Sequence, residues 1–413
     1  MSLRSDWPDA TTVHAALAPA SALLAERRTL YQLAVEVLAP GRPRLSAEEL
    51  DNPLFRFQVG EALAGRASFD PGAEFGLTDV TTELGSGQAR LKLVSGAAAS
   101  ERFAAGMKVI HAQGGQPGPP PRLLTEEAGK PFHDSLRIAE AGLAKAREIS
   151  PALAEDLLPH TDLLAVLDPS TSGGLVSASS RLFPGLILID RPECPYDVAE
   201  ALIHEGAHQK FFDLAITHDF LGADIARDRI FHPSWSGAKW PVEQVIAAFH
   251  AYACLAQFAE DVARSGETSE LGANSLLRTA RERETEIGRW LLDAEDALEI
   301  DARWLLRTFL REDTESIRPK ASADMAPNGR YVLNPLVKMA RMAGTGRVLL
   351  AQPGNPPSLH WIDGEAVDVV DRLEAHPLSP AELDPGLASV LAGLVDSALV
   401  CRVPESAVES TAE

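Results

Sequence analysis

Cysteine is scarce in this chain. Cys194, Cys254 and Cys401 are its only three in 413 residues, too few and too scattered for a disulfide framework or a thiolate metal knuckle. Cys254 lies in an apolar helical stretch and reads as a small buried hydrophobe. No apolar run approaches the roughly 18–20 residues that a membrane span requires. The N-terminus also lacks a signal-peptide pattern, and a reducing cytoplasm is the expected compartment. Basic charge is outnumbered too: 38 Lys and Arg stand against 59 Asp and Glu, a net charge of −21. Such a chain repels a phosphate backbone and an anionic bilayer alike, so neither nucleic acid nor a membrane is an expected partner.

What is present is ordinary globular material. Hydrophobic residues make up 45% and charged residues 23%, enough to bury a sizeable core. The length exceeds what one core usually organises. Residues 1–112 read as a mainly helical N-terminal region, with FGLTDVTTEL and ARLKLVSG less clear. QGGQPGPPPR (113–122) removes both helix and strand options and predicts a linker. Beyond it, 134–157 are helical by pattern, while LLAVLD (163–168) and GLILID (185–190) predict strands. Helix is expected again from Pro241 to about Val262 and over 273–312. The overall prediction is an α+β, mainly α-helical fold. A central metal-binding catalytic domain is expected over 123–315. Residues 347–403 read as a short hairpin followed by three short helices, with apolar positions at Val348, Leu350, Trp361, Val367, Val370, Leu373, Leu391, Leu394 and Leu399, which predicts a winged-helix-like C-terminal module over 316–413. Within 347–402, eight acidic residues face three basic ones, the reverse of what a DNA-reading wing needs.

Between the second strand and Pro241 stands ALIHEGAHQKFF (201–212). Pro195, with Asp197 and Glu200 as a capping pair, predicts a helix from Val198 to about Leu214. Residues four apart share a helix face, so His204 and His208 point the same way and can take adjacent positions on a divalent metal. Glu205, beside the first histidine, can reach a metal-bound water or orient a ligand. Two ligands do not hold a catalytic metal. The candidates for a third are His218, His232, Glu243, His250 and Glu260. His250 is favoured because it sits deep in the apolar helix PVEQVIAAFHAYACLAQFAED, and Glu243, seven residues earlier, could replace it or orient it.

The HExxH helix after an apolar strand, the loop FHPSWSGAKW and the helix AAFHAYACLAQF together resemble the HExxH-domain proteins of bacterial peptide natural-product clusters. The resemblance covers roughly residues 160–310. It implies a peptide β-hydroxylase using Fe(II) and 2-oxoglutarate. Many members carry a tryptophan-arginine loop, whereas this chain reads PSWSGAKWP, keeping Trp235 and losing the arginines. Lys239, Arg229 and Arg227 are the candidates to supply the missing charge for a 2-oxoglutarate carboxylate. The C-terminal region is similar to small winged-helix modules that grip leader peptides, so a peptide substrate with a leader segment is the implied partner. A zinc metallopeptidase with Glu205 as general base is the competing reading. A non-catalytic peptide-binding protein is the third.

Overall fold

The computed structural model describes residues 9–73, 75–85, 91–113, 118–218, 220–221, 229–312, 325, 329–335, 337–341, 346–352, 358–397 and 399–403. The chain is α+β and mainly helical. It divides into two compact units, Met1–Ala215 with Phe220–Glu315, and Ile216–Asp219 with Ser316–Glu413. The boundary expected at 113–122 therefore falls inside the first unit. Among the described residues no helix is long and apolar enough to cross a membrane.

The first unit opens with α1 (Ala10–Leu17), α2 (Ala20–Leu38), α3 (Ala47–Asp51) and α4 (Pro53–Leu63), followed by β1 (Thr81–Glu83) and β2 (Lys92–Val94). Next come α5 (Ala99–Arg102), α6 (Ala104–Gln113), α7 (Lys130–Ile149) and α8 (Pro151–Leu157), then β3 (Leu163–Val166), β4 (Ser177–Ser180) and β5 (Phe183–Ile189). The central helix α9 (Pro195–Thr217) follows, then the short pair β6 (Ile230–Phe231) and β7 (Trp240–Pro241), and finally α10 (Val242–Ser265), α11 (Ala280–Asp293) and α12 (Ile300–Leu310).

Five strands form one sheet in the order β1-β2-β3-β5-β4. The three inner strands run parallel and the two edge strands antiparallel. Side chains alternate across a strand, so Leu163 and Ala165 face one way and Leu164 and Val166 the other. The first face packs on Phe103, Met107 and Ile110 of the α5–α6 region. The second packs on Leu143 of α7 and Val198 and Leu202 of α9. Burial on both faces explains why LLAV and LILI read as continuous apolar runs. The two segments that looked unclear, FGLTDVTTEL and ARLKLVSG, contribute β1 and β2. The helical N-terminal region is thus part of the same unit as the HEGAH helix, through sheet pairs such as Lys92 with Leu163.

Gly142 brings α7 onto α9. A Cβ there would lie 2.5 Å from Val198 Cβ and 2.6 Å from the Pro195 carbonyl oxygen, so only hydrogen fits. On its other side α9 joins the largest core cluster, with α10, α11, α12 and α1, through Ile203, Phe211, Phe249, Leu291 and Leu305.

The second unit contains β8 (Tyr331–Leu333), β9 (Lys338–Arg341), β10 (Val348–Gln352) and β11 (Ser358–Ile362), then α13 (Gly364–Ala375), α14 (Pro385–Asp396) and β12 (Val400–Arg402). β9, β10 and β11 form an antiparallel sheet, and β12 pairs with β8. Two α-helices and a 3-10 turn at Pro380–Glu382 follow the hairpin where three short helices were expected. Its core holds Val348, Leu350, Val370, Leu373, Leu391, Leu394 and Leu399, all on the apolar periodicity of the sequence.

Candidate metal centre

Helix α9 is covered by other elements along most of its length, and its polar residues act as ties to each neighbour. Its start differs from expectation: the Asp197 carboxylate accepts from the Glu193 and Cys194 amides, one turn earlier than a cap at Val198 would need. Glu200 leaves the helix terminus altogether, accepting from Ser275 Oγ at 2.6 Å and the Leu276 amide at 2.7 Å. Gln209 bonds the Gly185 amide and the Leu186 carbonyl of β5. Lys210 reaches Asp156 of α8 at 2.6 Å, and Asp213 accepts from Arg27 and pairs with His160, each at 2.6 Å. Buried polar groups need partners, and Glu200, Gln209, Lys210 and Asp213 find theirs on neighbouring segments, which fixes the helix.

Against that fixed frame, His204 and His208 sit together, ring centroids 4.9 Å apart and nearly perpendicular. His208 stacks on Phe212, and His204 meets the edge of Tyr252 from α10 at 5.4 Å. Burial lowers the pKa of both; the Glu205 charge opposes this for His204, while His204 adds to it for His208, which falls to about 4. Both rings are neutral at pH 7, the form that offers a lone pair to a metal. His204 Nδ1 is buried without a hydrogen-bond partner. Each ring could therefore offer a lone pair to a cation.

Glu205 is 3% exposed and turns to the sheet, its two oxygens accepting from Ser177 Oγ at 2.6 Å and Ser179 Oγ at 2.7 Å on β4. His250 is on a different side of α10 from Tyr252. Its Nε2 lies 2.7 Å from Nε2 of His14 on α1, and it contacts Phe211. Among the described residues, no third His, Cys, Asp or Glu joins His204 and His208 in a ligand group. Glu243 stands in the first turn of α10, half-buried, with Oε2 unpartnered. Nine residues separate it from Tyr252, half a helical revolution off the face that Tyr252 presents to His204.

Of the residues proposed for co-substrate charge, Arg229 pairs with Asp296 at 2.7 Å, Lys239 is exposed, and Arg227 lies outside the described residues. Trp235 joins an aromatic group with Phe231, Trp240 and Tyr252. Stacked on it is a cation the sequence reading missed. The Arg283 guanidinium of α11 lies 5.0 Å from the Trp235 ring centre and 5.6 Å from that of Tyr252, and donates to Tyr252 Oη at 2.8 Å. Among the described residues no carboxylate pairs with it. It is close enough to His204 to lower that pKa further. Arg283 was hidden because ARERETEIGRW reads as a solvated, charge-laced helix.

No protein-family model matches the chain, and no curated protein matches it significantly.

Proposed function

We propose that the chain is an iron(II)- and 2-oxoglutarate-dependent oxygenase that hydroxylates a side-chain β-carbon of a peptide. The observation that carries the reading is the juxtaposition of a neutral imidazole pair, His204 and His208, with Arg283, an arginine that has no acidic partner among the described residues, through the shared neighbour Tyr252. His204 and His208 would supply two of the metal's protein ligands; among the described residues no His, Cys, Asp or Glu side chain stands beside them to give the third. Iron with 2-oxoglutarate and dioxygen supplies the oxidising power for C–H hydroxylation. Arg283 would bind a carboxylate of 2-oxoglutarate, its guanidinium being a planar fork suited to two parallel hydrogen bonds. Stacking on Trp235 and Tyr252 holds that fork in place and keeps bulk water from its faces. His250 has its Nε2 engaged by His14, and the reading does not depend on it.

Glu205 favours this reading over a zinc peptidase. Each of its oxygens already accepts a serine hydroxyl from β4, so it serves as an anchor for the metal helix. A general base would need a lone pair aimed at the metal-bound water. The second unit, with its antiparallel sheet and acidic surface, is the module we assign to holding the peptide, including a leader segment where one is present. Three free cysteines suit the reducing cytoplasm in which such a reaction runs.

The test is to purify the protein without air, measure iron, and follow succinate formation with candidate peptides. We expect about one iron per chain, lost in His204→Ala with His208→Ala, and succinate formation that needs both iron and 2-oxoglutarate. Zinc-supported peptide cleavage that vanishes in Glu205→Gln would establish the peptidase instead. Unchanged metal content in the double variant would end both readings.

A further inference from the structure

We propose a second, fully buried cation site of the zinc type, formed by His14 of α1 with His250 and Cys254 of α10. His250 and Cys254 are four residues apart and share one face of the helix, and α1 packs across that face. One ring nitrogen of His14, one of His250 and Cys254 Sγ lie mutually within 4.8 Å, and the two Nε2 atoms are 2.7 Å apart. His14 is 1% exposed, and His250 and Cys254 are 0% exposed. Two imidazoles and a thiolate are a donor set for a borderline-soft divalent cation such as Zn(II).

The surroundings are built as a metal site's usually are. Asp156 Oδ2 lies 2.6 Å from His14 Nδ1, and its other oxygen accepts from Lys210 at 2.6 Å. A carboxylate on Nδ1 fixes the ring and its tautomer, leaving the Nε2 lone pair directed at the cluster. Without a cation, and with His14 neutral and donating from Nδ1 to Asp156, the short contact between the two Nε2 atoms needs His250 to donate from Nε2, which leaves its Nδ1 as a buried acceptor. That atom has no hydrogen-bond partner of ordinary geometry, although the Ala207 carbonyl of α9 lies beside it. Binding a cation resolves the mismatch. The His250 proton moves to Nδ1 and faces that carbonyl, both Nε2 lone pairs go to the metal, and the Cys254 thiol releases one proton to solvent. The two nitrogens need only separate from 2.7 Å to the about 3.3 Å of a tetrahedral zinc site. Phe211 and Phe309 pack on the two imidazoles, and because the ligands come from two helices a bound cation would tie α1 to α10.

This site uses none of the residues of the proposed iron centre, and cobalt absorption separates the two, because only thiolate ligation gives an intense near-ultraviolet charge-transfer band. The probe is Co(II), titrated into full-length, metal-stripped Cys194→Ser/Cys401→Ser/His204→Ala/His208→Ala protein, which keeps Cys254 as its single thiol. The expected result is one equivalent bound, with the thiolate band present and a raised melting temperature. Adding His14→Ala removes the band. A folded quadruple variant that binds no cobalt, or binds it without the band, overturns the proposal, as does a band that survives His14→Ala. Loss of iron from the HEGAH pair in the same variant reports on the other centre alone.

Discussion

Replacing Glu205 by glutamine separates an anchoring role from a catalytic one. The carboxylate is 3% exposed and accepts two hydroxyl hydrogen bonds, at 2.6 and 2.7 Å. Hydrogen bonds to an ionised group contribute about 1.5–3 kcal/mol each. In Glu205→Gln the amide oxygen keeps one of them as a neutral bond, while the amide nitrogen must donate to a serine that previously donated. The change is isosteric, so no cavity term enters. The expected loss is therefore about 1–3 kcal/mol of unfolding free energy, less than that of Ser177→Ala with Ser179→Ala, which removes both donors and leaves the buried carboxylate unsatisfied. Iron content and succinate formation at saturating 2-oxoglutarate should stay within a few-fold of wild type, since an anchor contributes little to the barrier. Urea denaturation gives the first quantity, and metal analysis with a succinate assay gives the second. A general base would behave in the opposite way, with stability unchanged and turnover down by roughly 10²–10⁴-fold. That pattern would refute the anchoring argument.

Three further outcomes follow from particular contacts. Arg283→Gln should raise the KM for 2-oxoglutarate about 10–100-fold with a smaller change in kcat, and Arg283→Lys should recover part of it; an unchanged KM would remove the arginine from co-substrate binding. Gly142→Ala should cost about 1–3 kcal/mol, because the added methyl meets the Pro195 carbonyl and Val198 where α7 crosses α9, and a melting temperature equal to wild type would contradict that packing. Glu284 is fully buried, and burial raises its pKa to about 7 despite the Arg281 guanidinium beside it. The folded state thus holds this proton between pH 4.5 and about 7 while the unfolded chain releases it, so the contribution is complete below pH 4.5 and is lost as pH rises towards 7. The loss is on the order of 3 kcal/mol. Glu284→Gln should flatten the stability profile across that window and unfold later than wild type at pH 8, and an unaltered profile would show that the buried carboxyl is not the source.

The sequence by itself determined the composition class, the strands β3 and β5, and the histidine pair. LLAV and LILI are strands because a short β-rich apolar run between turn signals has few other stable fates, and HEGAH presents both rings on one face because helical geometry requires it. The second unit's core was also legible in its apolar periodicity. Tertiary structure decided what period and spacing do not encode. β1 and β2 are three residues each, too short to show alternation, and are strands because a parallel neighbour, β3, is there to pair with β2. Glu200 and Glu205 read locally as a cap and a candidate base, yet buried carboxylates take the nearest donors, and those came from Ser275 and from β4. His250 met His14 across 236 positions of chain, and Arg283 found Trp235. Which partner a buried polar side chain meets depends on how the helices dock, and docking is set by the whole core at once.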